Sequence, residues 1–418
     1  MRFDKKTGPK FIKFMISLQI IIQLIISLLL ALGISIYVLR IVVHAVNRLG
    51  LFDKPNGRSS AVTPIPTLGG IAIFFSFVFV ATIGLYGFDF PEWPYIMVAL
   101  MLIFFVGLKD DIVTLSPLKK IIAQIIAGFI IVFLAKIRFT NLHGLLGITE
   151  IGLIPGIIAT IFTMIVIINA FNLMDGIDGL ASGLCILISL IFGSWFLTSG
   201  HFEYAIISFS LVGAVAGFFY LNVYGKEFKI FMGDTGSLLL GTIITILVIR
   251  FNEFNIDQTQ PYAISSAPVI SFGILFYPLI DTVRVMAIRI KHRRSPFSAD
   301  RNHLHHRLLA LGFSHIQATY TIIGANTIFI LLVFIMHTYG VLRLTAYITL
   351  VGSLLFMIPA FIIRKKKLIK RDDPFQQLLI PGFSDEKERR RSVSRIKRHK
   401  ADLHPLTRQT FLQKFKLW

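Results

Sequence analysis

Five polar clusters interrupt an otherwise apolar chain, and each holds residue types suited to handling phosphate. The densest runs Asn169-Ala-Phe-Asn172-Leu-Met-Asp175-Gly176-Ile-Asp178-Gly179. Its polar residues recur every three positions, so successive pairs are neighbours on a helix. At 3.6 residues per turn the four still fan through about half a turn, and Gly176 and Gly179 free the backbone to depart from that geometry. Asp110 and Asp111 are adjacent, with Lys119 and Lys120 following. Neighbouring carboxylates raise one another's pKa unless a cation neutralises them. That points to Mg²⁺, which takes a few carboxylates and completes its shell with substrate phosphate oxygens.

Phe231-Met-Gly-Asp234-Thr-Gly-Ser237 opens a long apolar run. Read alone, Asp234 is a helix N-cap. The same helix start also suits an anion or a metal-bound phosphate, and Phe231 offers a ring face to a base. Pro296-Phe297-Ser-Ala-Asp300-Arg301-Asn-His303-Leu-His305-His306-Arg307 places three histidines within four positions, flanked by arginines. Such a cluster suits pyrophosphate or a metal near neutral pH, with zinc as the alternative ion. Finally, Asp53-Lys54-Pro-Asn-Gly-Arg58 precedes the Pro- and Gly-rich stretch Thr63–Gly70. This reads as a rigid re-entering loop on which Lys54 and Arg58 meet a diphosphate.

The elements that must position these clusters are membrane helices. The chain has 418 residues, 55% hydrophobic and only 15% charged, against roughly 25% charged in soluble domains. Residues 14–39 carry no charge over 26 positions, enough to cross about 30 Å of hydrocarbon. That run is too long for the apolar part of a signal peptide, and similar runs recur down the chain. About eleven spans are expected, in 14–39, 68–86, 93–108, 120–135, 153–171, 180–198, 204–221, 236–250, 265–283, 318–337 and 344–363. Backbone groups in lipid must be satisfied within the segment, so the expected class is all-α and polytopic. The runs lack the period-2 alternation of a transmembrane barrel. Cys185 is the only cysteine, which excludes an intrachain disulfide and a cysteine-based metal site.

Basic residues set the orientation. The stretch 284–316 contains Arg284, Arg289, Lys291, Arg293, Arg294, Arg301 and Arg307, whereas 86–93 and 199–203 are nearly free of them. All five polar clusters fall on the basic side, which reads as cytoplasmic. An odd count of spans places the N-terminus outside, although residues 1–13 hold five basic residues. Residues 1–363 are expected to form the membrane domain, and 364–418 a basic tail contributing +11 of the net +20 charge. That tail lies naturally against anionic lipid. It lacks interleaved aromatics, so nucleic acid is not an expected partner. A secondary transporter is the reading from another class, but transporters show repeated halves and midplane charges, whereas these charges gather at one face.

Taken in order, the five clusters resemble the polyprenyl-phosphate N-acetylhexosamine-1-phosphate transferases. That family includes the phospho-N-acetylmuramoyl-pentapeptide translocase and the GlcNAc-1-phosphate transferases of O-antigen and teichoic acid synthesis. The resemblance implies a cytoplasmic active-site cleft, dependence on Mg²⁺ with Mn²⁺ as a substitute, a UDP-N-acetylhexosamine donor and undecaprenyl phosphate as acceptor in the bilayer. It also allows a homodimer. By motif position, Asp110 and Asp111 match the paired catalytic aspartates, Asp234 the metal ligand and Phe231 the base-stacking aromatic. Asn169, Asn172, Asp175 and Asp178 match the polar nucleotide- and phosphate-binding run, with Asp178 among the catalytic candidates. His303, His305 and His306 match the histidine motif, in which His305 is the catalytic candidate and His303, His306, Arg301 and Arg307 bind substrate. Asn222 matches a further nucleotide-contacting Asn. The His-Leu-His-His-Arg-Leu pattern after Pro-Phe-x-x-Asp resembles the GlcNAc-1-phosphate branch. Two routes are open at this level: direct attack of the lipid phosphate, and a covalent aspartyl-phosphate.

Overall fold

A computed structural model describes residues 8–49, 52–53, 65–145, 147–260, 262–293 and 303–354. Lys54, Arg58, Arg301 and the basic tail lie outside them. The described chain is helical: α1 (Gly8–Leu49), α2 (Gly69–Gly84), α3 (Trp93–Ile112), α4 (Pro117–Phe129), α5 (Leu153–Met174), α6 (Leu180–Thr198), α7 (Phe202–Tyr224), α8 (Gly233–Phe254), α9 (Ala267–Ile274), α10 (Phe276–Lys291), α11 (Leu304–Ala310), α12 (His315–Ile335) and α13 (Val341–Leu354). Among the described residues seven helices are long and apolar enough to cross a membrane, and an eighth span forms if the pair α9–α10, bent by 76°, counts as one. The protein is therefore a multi-pass helical membrane protein. Each of the eleven expected stretches falls on a helix, the last described as far as Leu354. Two of those helices as described, α2 with 16 residues and α13 over Val341–Leu354, are too short to pass the same test. The all-α expectation also meets two small hairpins, Phe52–Asp53 with Ile65–Pro66 and Asn141–Leu145 with Ile148–Glu150.

The core forms around α8. This helix carries no Lys, Arg or Glu from Thr235 to Ile249 and is buried on nearly all sides, as an apolar helix without a polar face must be. It packs against α2, α3, α5 and α6. At its N-terminal end the packing is backbone to backbone. A Cβ on Gly70 would lie 2.2 Å from the Gly236 nitrogen, and one on Gly107 would lie 2.6 Å from the Thr235 Cα. Small residues let helices approach closely where lipid supplies no hydrophobic drive. Two backbone bonds fix the crossing: Gly69 N–H donates to Phe231 O and Gly70 N–H to Met232 O, each at 2.9 Å. The start of α8 is thereby locked to the start of α2, with the end of α3 packed against it at Gly107, and polar clusters sit at the ends of α3 and α8.

Candidate active site

The helix ends converge on a cavity of about 380 Å³, lined by Thr67, Asp111, Asn172, Asp175, Asp178, Asn222, Phe231, Asp234, His306 and His315. Asp111 reaches from the end of α3 to the start of α8. Its Oδ1 accepts from the Asp234 N–H at 2.7 Å, and its Oδ2 accepts from the Thr235 N–H at 3.0 Å and from the Thr235 hydroxyl. The helix start read from sequence as a seat for an external anion is thus occupied by a carboxylate from a neighbouring helix. The N-cap reading of Asp234 is corrected too. Asp234 follows Gly233 inside the helix, and the cap position, Met232, makes no side-chain cap. Gly233 is required here: its φ is +73°, and a Cβ would meet Asp111 Oδ2 at 2.5 Å.

Freed from capping, Asp234 faces the cavity. Its Oδ1 accepts from Asn172 Nδ2 at 2.6 Å, and the same amide donates to Ser237 Oγ at 3.0 Å. Its Oδ2 accepts from Lys120 Nζ at 2.7 Å, and Lys120 also donates to Asp110 Oδ2 at 2.9 Å. Asp110 accepts from the Leu115 N–H as well, so it acts one step behind the cavity wall. On the far side Asp178 Oδ2 accepts from Lys229 Nζ at 2.7 Å, with the His315 ring 3.4 Å away. Burial works against ionising Asp178, but His315 and Lys229 outweigh it and keep the carboxyl below its ordinary value.

Asp175 differs from the others. Among the described residues no group donates a hydrogen bond to it. Burial raises its pKa first, and the charges of Asp234, Asp111 and Asp178 raise it further, to about 7. Among the described residues the cluster therefore sets Asp110, Asp111, Asp175, Asp178 and Asp234 against Lys120 and Lys229, with Asp175 the member that has no hydrogen-bond donor. Among the described residues no three Asp, Glu, His or Cys side chains converge as a closed metal site. The donor set suits a cation such as Mg²⁺ that takes one or two carboxylates and borrows substrate oxygens. Asp234 and Asp175 would hold it. Zinc prefers a converging set of nitrogen or sulfur ligands, and the three histidines are arranged otherwise.

Those histidines separate by function. His306 lines the cavity. His303 is buried and turned away, its Nδ1 sitting 2.8 Å from Asp281 Oδ2 on α10, while Asp281 Oδ1 accepts from Arg284 at 2.6 Å and from the Leu304 N–H at 3.1 Å. His305 is 1% exposed. Its ring lies against Gly176, where a Cβ would be 2.6 Å from Nε2, and neither ring nitrogen has a partner among the described residues. Burial, then the neighbouring His306, push its pKa down to about 3, so the ring is neutral. His305 thus supports the Asp175–Asp178 turn from behind and does not face the cavity. Arg307 lies on α11 away from the cavity lining. Asn169 points to Gln124 Oε1 at 2.9 Å and to Ile165 O at 2.7 Å, one turn below the site. Asn222 borders the cavity, but its Oδ1 accepts from the Gly179 N–H at 2.7 Å and its Nδ2 donates to Ile230 O at 2.8 Å. It fixes two loops.

Sequence reading passed over Lys229, His315 and Asp281, and noted Lys120 without assigning it a partner. Asp281 carried a signal, being the only Asp, Glu, Lys or Arg between Asp257 and Arg284. An ionisable residue within an apolar run is a functional candidate by default.

The description "Glycosyl transferase family 4" belongs to the family model that matches residues 93–252. The undecaprenyl-phosphate alpha-N-acetylglucosaminyl 1-phosphate transferase of Escherichia coli (strain K12) is 34% identical over 275 residues, covering 65% of this chain and 72% of that protein. The chain belongs to glycosyl transferase family 4. The protein of the same name from Yersinia pestis is also 34% identical over 275 residues, 65% of this chain and 73% of that one. The decaprenyl-phosphate N-acetylglucosaminephosphotransferase of Mycobacterium tuberculosis is 32% identical over 291 residues, 64% of this chain and 71% of that one. The family 4 match runs from the start of α3 to the end of α8, and so contains all five clustered carboxylates and both lysines.

Proposed function

We propose that this family 4 chain transfers N-acetylglucosamine-1-phosphate from UDP-N-acetylglucosamine to undecaprenyl phosphate and releases UMP. The transfer takes place at the cytoplasmic face of the inner membrane and initiates cell-envelope polysaccharide synthesis. The observation that carries this reading is the carboxylate-rich cavity at the helix ends, with Asp175 unpartnered beside Asp234, in a chain whose relatives bear N-acetylglucosamine-phosphate transferase names. About eleven helices cross the bilayer in this reading, with the clusters and tail on the basic side.

Donor and acceptor are both anions, so their mutual repulsion must be offset. Bound Mg²⁺ would supply Lewis-acid stabilisation and alignment of the pyrophosphate. Asp234 and Asp175 would hold that ion, and Asn172 and Lys120 fix the Asp234 carboxylate in one orientation. Phe231 presents its ring to the uracil. Lys54, Arg58, Arg301 and His306 add positive charge around the phosphates. The acceptor phosphate attacks the phosphorus bearing the sugar, and the bond from that phosphorus to the UMP oxygen breaks. Holding the two in line contributes several kcal/mol, up to roughly 7–11 in ideal systems. A phosphate monoester has its second pKa near 6, so the acceptor is mostly ionised at neutral pH and general-base help adds little. Direct attack is favoured over a covalent aspartyl-phosphate, because both oxygens of Asp111 are committed to the start of α8 and Asp110 to Lys120 and Leu115.

The test is to incubate the purified protein with UDP-N-acetylglucosamine, undecaprenyl phosphate and Mg²⁺ and identify the nucleotide released. UMP, lost on adding EDTA, is expected. Release of UDP would mean glycosyl transfer and would overturn the proposed chemistry.

A further inference from the structure

Away from the cavity, α1 carries a second arrangement of charge. Within α1, residues 14–39 are uncharged, and basic residues resume only at Arg40, near its end. There Tyr37, Arg40, Ile41, His44, Ala45 and Arg48 line an open groove of about 690 Å³ together with Phe228. Their spacing of three, one, three, one and three residues puts them on one helix face. The opposite face, Leu39, Val42, Val43 and Val46, is buried in the bundle. Arg40, His44 and Arg48 stand one turn apart, about 6 Å between neighbours along the axis. Among the described residues no carboxylate pairs with any of the three. Glu227, the acid beside Phe228 in sequence, is exposed and forms no ion pair among the described residues. The Arg40 guanidinium lies 5.7 Å from the centre of the Phe228 ring, within the range of a cation–π contact.

Two arginines with no carboxylate partner among the described residues, flanking a histidine at the end of an uncharged span with apolar side chains between them, are complementary to a lipid bearing a phosphate above an acyl chain. We propose that this face of α1, with Phe228, is a binding site for an anionic phospholipid. The headgroup phosphate lies among Arg40, His44 and Arg48, and an acyl chain runs over Ile41 and Tyr37. The site connects to the cavity through one loop. Phe228 is followed by Lys229, which pairs with Asp178, by Ile230, whose carbonyl accepts from Asn222, and by Phe231, which lines the cavity. A lipid seated against Phe228 therefore steadies the segment carrying these three cavity contacts.

The experiment uses the full chain with Tyr37→Trp, reconstituted in phosphatidylcholine vesicles containing either brominated phosphatidylglycerol or brominated phosphatidylcholine. Quenching is compared with the unsubstituted chain to isolate the added indole. Preferential quenching by the anionic lipid is expected, at about fivefold per arginine engaged. Adding Arg40→Gln and Arg48→Gln should abolish that preference while leaving UMP release in pure phosphatidylcholine unchanged. Equal quenching by both lipids would sink the proposal, as would a preference that survives loss of both arginines, since that reports general surface charge. Displacement of the anionic lipid by an equal mole fraction of undecaprenyl phosphate would also overturn it, by giving the groove to the acceptor. The quenching readouts do not need the transferase assignment to be correct; only the UMP-release control does.

Discussion

The two ends of α8 use similar residue types for opposite purposes. At the C-terminal end Arg250 donates to Glu92 Oε1 at 2.7 Å and to the Tyr204 hydroxyl at 2.7 Å, and its guanidinium lies over the Tyr204 and Phe254 rings. Glu253 accepts from the Thr140 N–H at 2.8 Å and from its hydroxyl at 2.7 Å. Every charge there is answered by the protein. At the N-terminal end carboxylates outnumber lysines, and Asp175 has no donor among the described residues. One end is answered as folded, while among the described residues the other leaves a carboxylate that the proposed cation would answer. Like charges held together without a partner cost stability, so such an end persists where a ligand cation and substrate complete it.

The largest test of this contrast is Asp234→Ala. It removes the carboxylate that Asn172 and Lys120 orient, and UMP release should fall by on the order of 10³-fold, as when a principal electrostatic stabiliser is lost. Thermal stability should change little, because the repulsion removed offsets the hydrogen bonds lost. A variant that kept more than a tenth of the activity would place the reaction elsewhere.

Asp175→Asn is next, with an activity loss on the order of 10²-fold and a distinctive pH signature. The Asp175 carboxyl is raised from an ordinary 3.8 to about 7. Between those values the folded protein binds a proton that the unfolded chain has lost, so stability from this group falls as pH rises. Without metal, in EDTA, the melting temperature of the variant should therefore gain on the wild type from about pH 4 to about pH 7 and run parallel above that. A constant difference across that window would show that Asp175 titrates normally and is not crowded by its neighbours.

Much of the active end was legible in the sequence because its signals are local. Asp111, Asn172, Asp175, Asp178, Phe231 and Asp234 meet at one cavity, as their spacing and the family resemblance implied. The errors lay in what each group does. The cap alternative weighed against a metal role for Asp234 could not be dismissed from one chain segment, which cannot reveal that Asp111, 123 positions earlier, takes the helix start. His305 was the catalytic candidate by motif position in the resemblance, whereas the fold buries its ring against Gly176 and leaves His306 to line the cavity. Lys229 and His315 are ordinary surface residues until tertiary packing brings them to Asp178. The span count was equally hard to read: a stretch of apolar residues fixes helix formation, but α9 and α10 bend by 76° within one apolar run.

Asp281 tests whether support from outside the cavity matters. Asp281→Asn keeps the shape but weakens the contacts to His303 and Arg284, leaving the α11 segment less firmly placed behind the Asp175–Asp178 turn. A loss of about tenfold in kcat/KM is expected, near the lower end of what a misplaced supporting group costs, and it should be partly restored by Asp281→Glu. An unchanged rate would make the Asp281–His303 pair a purely structural contact.

The smallest effect on activity should come from the opposite end. Arg250→Ala breaks a pair whose side chains are 14% and 25% exposed, and also leaves the Tyr204 hydroxyl without its donor. Hydrogen bonds to charged groups contribute about 1.5–3 kcal/mol, so the melting temperature should drop by several degrees. Yet kcat/KM at a temperature where the variant is folded should stay within about twofold, because α8 transmits no charge along its apolar middle and its N-terminal end is fixed separately by Asp111, Gly70 and Gly107. A variant that lost stability and activity in proportion would mean that the two ends of α8 form one cooperative polar network, and the division of labour drawn between them would fail.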